Sequence, residues 1–162
     1  MSVTENASAL LENVTPLKTD CGLLCSAACC TDNGEAGSCV WLLPGEEAGC
    51  DWGSVSSAVL PVTGIKLNSL YCTSPCTRSR RPFMCRIFPL SPYYSVKRGI
   101  WDVRMDRRAA AVCPLFKSGV RGLNPDFISA ARAAVTMLSE DAEGLKLLKA
   151  LYAEEDACRL SL

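Results

Sequence analysis

Apolar residues return every three or four positions near the end of the chain, where Phe127, Ile128, Ala131, Ala134, Val135 and Leu138 fall on one helical face. Asn124 is placed to cap that helix, and Pro125 suits its first position, where a missing N–H costs nothing. Ser139 can cap a second helix with an acidic first turn of Glu140, Asp141 and Glu143, which favours the positive end of the helix dipole. Leu145, Leu148, Leu151 and Tyr152 would line its buried face. The pattern predicts a C-terminal helical hairpin over residues 124–158.

Upstream the rhythm changes. Ile100 to Asp106 alternates apolar and polar residues over most of its length, which predicts a half-buried strand. Val59 to Ile65 has strand character, but Pro61 restricts it to an edge strand or a loop. Pro89 and Pro92 predict a turn over Phe88 to Tyr94. Glycine and proline punctuate the stretch from Asp20 to Cys85 so densely that only short elements fit between them. The expected fold is α+β and mainly helical, one domain over residues 1–162. An irregular cysteine-rich metal-binding region at 20–115 precedes the helical tail.

Composition narrows the partners. Seventeen basic residues balance seventeen acidic ones, which gives no pull toward nucleic acid or an anionic membrane surface. Met1 to Asp20 lacks the basic start and continuous apolar run of a signal peptide. No stretch approaches the ~20 apolar residues that a membrane span requires. A cytoplasmic protein without nucleic-acid or membrane partners is expected, with a protein partner left open.

Cysteine content changes the picture most. The chain has eleven cysteines and no histidine. Cytoplasmic thiols are normally kept reduced, and an odd count leaves one thiol over in any full disulfide scheme. Four cysteines crowd into one short segment, Cys21-x3-Cys25-x3-Cys29-Cys30. On a helix the first three form a row, but eight residues rise ~12 Å while zinc–thiolate bonds are ~2.3 Å. Either adjacent pairs serve different metals, or the helix breaks and the segment wraps around one centre. Gly22 and the Thr31-Asp32-Asn33-Gly34 turn favour wrapping. Cys72-x3-Cys76, Cys85 and Cys113 form a second group that supplies further thiolates. Four thiolates satisfy tetrahedral zinc or a four-iron cluster, and the sequence favours neither. Arg78, Arg80, Arg81 and Arg86 would offset the negative charge of such a site.

Other cysteine chemistries fit poorly. There is no C-x-x-C pair for a thioredoxin-like centre, and no histidine to serve a cysteine protease as base. Cys39 and Cys50 have no close partner in sequence, and Cys158 reads as a small buried hydrophobe of the last helix. Glu46 and Glu47 are the candidate oxygen ligands or acid–base groups.

Several of these segments together resemble the CxxCxxCC cysteine-cluster family. They are Cys21-x3-Cys25-x3-Cys29-Cys30, Leu42-Leu43-Pro44-Gly45-Glu46-Glu47, Cys76-x4-Arg81-Pro82-x2-Cys85-Arg86-x-Phe88-Pro89-Leu90 and Cys113-Pro114-Leu115. Those YkgJ-like proteins are described as zinc- or iron-chelating, and the family includes flagellin lysine N-methylases. The resemblance covers roughly Asp20 to Leu115, with three residues between successive cysteines where the family name implies two. It implicates Cys21, Cys25, Cys29, Cys30, Cys76, Cys85 and Cys113 as metal ligands, and local spacing adds Cys72. The expected function is a small metalloprotein that binds zinc or an iron–sulfur cluster. A metal-dependent group-transfer enzyme, such as a protein-lysine N-methylase-like protein, is the alternative.

Overall fold

The computed structural model describes residues 2–30, 39–46, 52–74 and 76–160, with side chains to residue 157. Within it, short helices and strands precede two long helices in an α+β arrangement. Helix α1 (Val3–Ala9) opens on a reciprocal cap: the Glu5 amide donates to the Ser2 hydroxyl, and the Ser2 amide donates to the Glu5 carboxylate. Short helix α2 (Gly22–Cys25) and a 3₁₀ turn at Ala28–Cys30 carry the first cysteine group.

A three-stranded antiparallel sheet follows in the order β1-β3-β2, made of β1 (Cys39–Leu42), β2 (Gly53–Val59) and β3 (Lys66–Cys72). Register sets Cys39 opposite Tyr71 and Gly53 opposite Cys72. At Gly53 the strands approach so closely that a Cβ would stand 2.3 Å from the Tyr71 carbonyl oxygen. Only glycine fits there. Residues 60–65 form the turn between β2 and β3, so Pro61 ends a strand and does not sit in one.

Helix α3 (Phe83–Ile87) leads into a hairpin of β4 (Leu90–Ser95) and β5 (Ile100–Met105). The strand expected at Ile100 is present. The turn expected over Phe88 to Tyr94 is not, because β4 occupies most of it. Pro92 is tolerated there because β4 pairs only with β5, so its missing N–H interrupts no second ladder. Short helix α4 (Ala109–Val112) precedes α5 (Pro125–Glu140) and α6 (Ala142–Leu160).

Asn124 caps α5 as its sequence position suggests, its side-chain oxygen accepting from the Asp126 amide at 3.1 Å. The cap of α6 is Asp141 and not Ser139: its carboxylate accepts from the Gly144 amide at 2.8 Å, while the Ser139 hydroxyl turns back to the Thr136 carbonyl. Helix α5 therefore runs through Ser139 before the chain bends. Among the described residues no helix is long and apolar enough to cross a membrane.

The main core draws on α1, α3, the β4–β5 hairpin, α5 and α6, with Phe83, Ile87, Phe127 and Val135 fully enclosed. Buried Asp102 on β5 accepts from Arg132 on α5 at 2.8 Å and from Arg98 at 2.6 Å, fastening the hairpin to that helix. Trp101 packs edge-on against Tyr94 and Tyr152, which does the same for α6. The small sheet has a separate, minor cluster of Leu42, Trp52 and Leu70.

Candidate metal centre

Two successive non-glycine residues with left-handed backbone interrupt the first cysteine segment, Ser26 at φ 52° and Ala27 at φ 54°. Their amides fold back onto the Gly22 carbonyl and stop α2 at Cys25. The helical row of sulfurs therefore breaks after Cys25, and Cys29 and Cys30 turn back. The break is the one observed feature of the wrapped alternative.

The Sγ atoms of Cys29 and Cys30 stand 3.8 Å apart. Four thiolates held at ~2.3 Å around one zinc ion stand ~3.8 Å from one another, so the pair has the separation of one ready edge of a tetrahedron. The hydrogen bond from the Cys29 thiol brings Cys30 down to about 6, with Arg81 adding to the effect against the cost of burial. The same bond, followed by burial, pushes Cys29 up.

Six cysteines line one cavity of about 640 Å³: Cys29, Cys30, Cys39, Cys72, Cys76 and Cys85. They come from the 3₁₀ turn, β1, the end of β3, the loop after it and α3. Burial raises the Cys85 thiol first, and the neighbouring charges of Cys72, Cys30 and Cys76 raise it further. Arg81 enters the same cavity, where Cys30, Cys76 and Cys29 restore the charge that burial opposes. The remaining predicted ligands, Cys21, Cys25 and Cys113, are not among the residues that line it. Burial and then Asp20, Cys113 and Cys25 raise Cys21, while Cys113 is raised by burial and by Cys25. Thus all eight predicted sulfurs form a continuous series of electrostatic neighbours, from Cys113 through Cys21 and Cys25 to Cys29, Cys30, Cys85, Cys72 and Cys76.

None of the described cysteines forms a disulfide. Equally, among the described residues no three Cys, Asp or Glu side chains gather tightly enough to hold one ion. The donor chemistry suits a thiophilic metal, since thiolates are the ligands of structural zinc and of iron–sulfur clusters. Two sulfurs stand at the spacing of a tetrahedral edge, and further sulfurs line the same cavity.

Only part of the expected arginine group serves these sulfurs. Arg78 donates to the carbonyls of Leu11, Glu12 and Val14, and buried Arg86 to those of Ser8, Ser79 and Arg81 and to the Glu12 carboxylate. Arg78 braces the backbone just after α1, and Arg86 ties the end of α1 to the segment before α3. Arg80 lies over the Trp52 ring, 5.0 Å from its centroid. Glu46 is likewise structural: its two carboxylate oxygens accept from the amides of Leu43 at 2.8 Å and Phe83 at 2.7 Å. A carboxylate so engaged is poorly placed to move a proton.

Sequence spacing gave no sign that Cys39 belongs to this cavity. It arrives there because β1 pairs with β3 and sets it beside Tyr71 and Cys72. The Thr31-Asp32-Asn33-Gly34 turn, Glu47, Cys50 and the Cys158 side chain lie outside the described residues. No protein-family model, no curated protein and no solved structure matches this chain, so its functional reading rests on the site itself.

Proposed function

We propose that this chain is a small metalloprotein that binds zinc or an iron–sulfur cluster through the cysteines of this cavity. One observation carries the reading: sulfurs from separate parts of the chain face a common space, unpaired by disulfides, with a half-buried arginine among them. In this reading Cys29 and Cys30 supply one edge of the ligand set, and Cys72, Cys76 and Cys85, which line the same cavity, complete it. Cys21, Cys25 and Cys113 form the adjoining group. In this reading residues 20–115 are the metal-binding region of a single domain, in keeping with the cysteine-cluster resemblance, and the C-terminal helical hairpin is its scaffold. A reducing, cytoplasmic setting keeps the thiols available. Bound zinc supplies a structural staple, and a cluster supplies in addition a one-electron centre.

The group-transfer alternative has weaker support, because Glu46 is committed to two backbone amides. Metal analysis of anaerobically purified protein tests the proposal. Stoichiometric iron with a broad visible band identifies a cluster, and colourless protein with stoichiometric zinc identifies a zinc site. Protein that contains neither metal, and whose thiols all titrate readily, overturns the reading.

A further inference from the structure

The cavity is far larger than an ion needs. A metal ion takes up roughly the room of one water molecule, ~30 Å³ of liquid volume, whereas the cavity holds about 640 Å³. Pockets for small organic molecules commonly span ~300–1,000 Å³ and are walled mainly by apolar and aromatic groups. Away from the sulfurs the wall has that character: Trp52, Tyr71 and Phe88 contribute rings, and Val40, Met84 and Val112 contribute aliphatic surface.

Apart from the sulfurs, its charged side chains are of one kind. Arg81 and Arg108 line the cavity, and no carboxylate stands among its described lining residues. Arg108 is oriented by Asp106, which accepts from its Nε and Nη2. An acidic group brings acceptors and negative charge to guanidinium groups.

We infer that the cavity also binds an aromatic acid of about drug size, its flat body against Trp52, Tyr71 and Phe88 and its acidic group toward the arginines. This goes beyond the metal-binding reading and does not depend on it, since the rings and the arginines line the cavity whether or not the sulfurs hold an ion.

The probe is 8-anilinonaphthalene-1-sulfonate, titrated into the protein as isolated and followed by fluorescence. Saturable one-to-one binding is expected, tighter than that of neutral N-phenyl-1-naphthylamine. Val112→Trp fills the cavity and should weaken sulfonate binding at least tenfold. Tyr71→Ala removes a partly exposed ring, with little risk to folding, and should weaken it severalfold. Absence of saturable binding, equal binding of the neutral probe, or unchanged affinity in both variants overturns the inference. Metal content measured on the same samples reports separately: protein without metal that still binds the sulfonate upholds the pocket while defeating the metal reading.

Discussion

Glu46 shows how one side chain can look catalytic in sequence and be structural in space. Its adjacency to Glu47 and to the cysteine-flanked segment suggested an oxygen ligand or a proton carrier. Its carboxylate instead joins the chain after β1 to the first amide of α3, and both partner residues, Leu43 and Phe83, are buried. Hydrogen bonds to a charged acceptor contribute ~1.5–3 kcal/mol, and loss of the acceptor strands the donors. Glu46→Ala should therefore lower the unfolding free energy by ~2 kcal/mol, whereas Glu46→Gln, which keeps one carbonyl acceptor, costs less. Urea unfolding measures both, and metal content should be the same in both variants as in the parent. Full stability in Glu46→Ala together with lost metal would return this residue to the site. Arg78 and Arg86 carry the same lesson, because a basic cluster beside cysteines cannot be assigned until its hydrogen-bond acceptors are known.

At the scale of elements, the break after α2 has the most direct consequence for the sulfurs. Left-handed backbone costs an L-residue ~1–2 kcal/mol, and glycine avoids that penalty. Ala27→Gly should keep the metal and raise stability by up to ~1 kcal/mol, while β-branched Ala27→Val should lower both stability and metal content. Unfolding curves and metal analysis on the two variants check this, and equal metal content in both would remove the link between the bend and the site. The bend was legible as one of two alternatives, because the ~12 Å rise of a regular helix is incompatible with a shared ion. Helix α5 was legible down to its cap, since Asn124, Pro125 and the apolar stripe are all local signals. The start of α6 was misplaced because Ser139 and Asp141 are both good caps, and only the bend of the chain selects between them. The β1-β3-β2 sheet was not legible. Strand β2 has little burial on either face, so its sequence lacks the alternation that marks a half-buried strand. Its pairing, and with it the arrival of Cys39 at the cavity, is a long-range event that local spacing does not record.

Across the whole molecule, apolar burial is unevenly shared. The large core joins α1, α3, the β4–β5 hairpin, α5 and α6 and reaches the small sheet through Leu67, with Val40 and Trp41 packed against it. Leu42, Trp52 and Leu70 form a separate small cluster. The cysteine cavity lies where this sheet, whose strand β2 is mostly exposed, meets the bent segment after α2. Elements with few buried apolar contacts open locally at low free energy. A metal that binds only the closed arrangement stabilises it by mass action, and its removal should be felt where the core contributes least. Hydrogen exchange followed by mass spectrometry, before and after anaerobic chelation, provides the test. Amides of residues 21–30, 39–42 and 66–72 should exchange roughly tenfold faster or more without the metal, while those of residues 127–138 keep their protection. Uniform acceleration along the chain would make the metal a support of the entire fold. Exchange unchanged everywhere, in protein shown to have lost its metal, would mean that the cavity sulfurs do not hold these elements together.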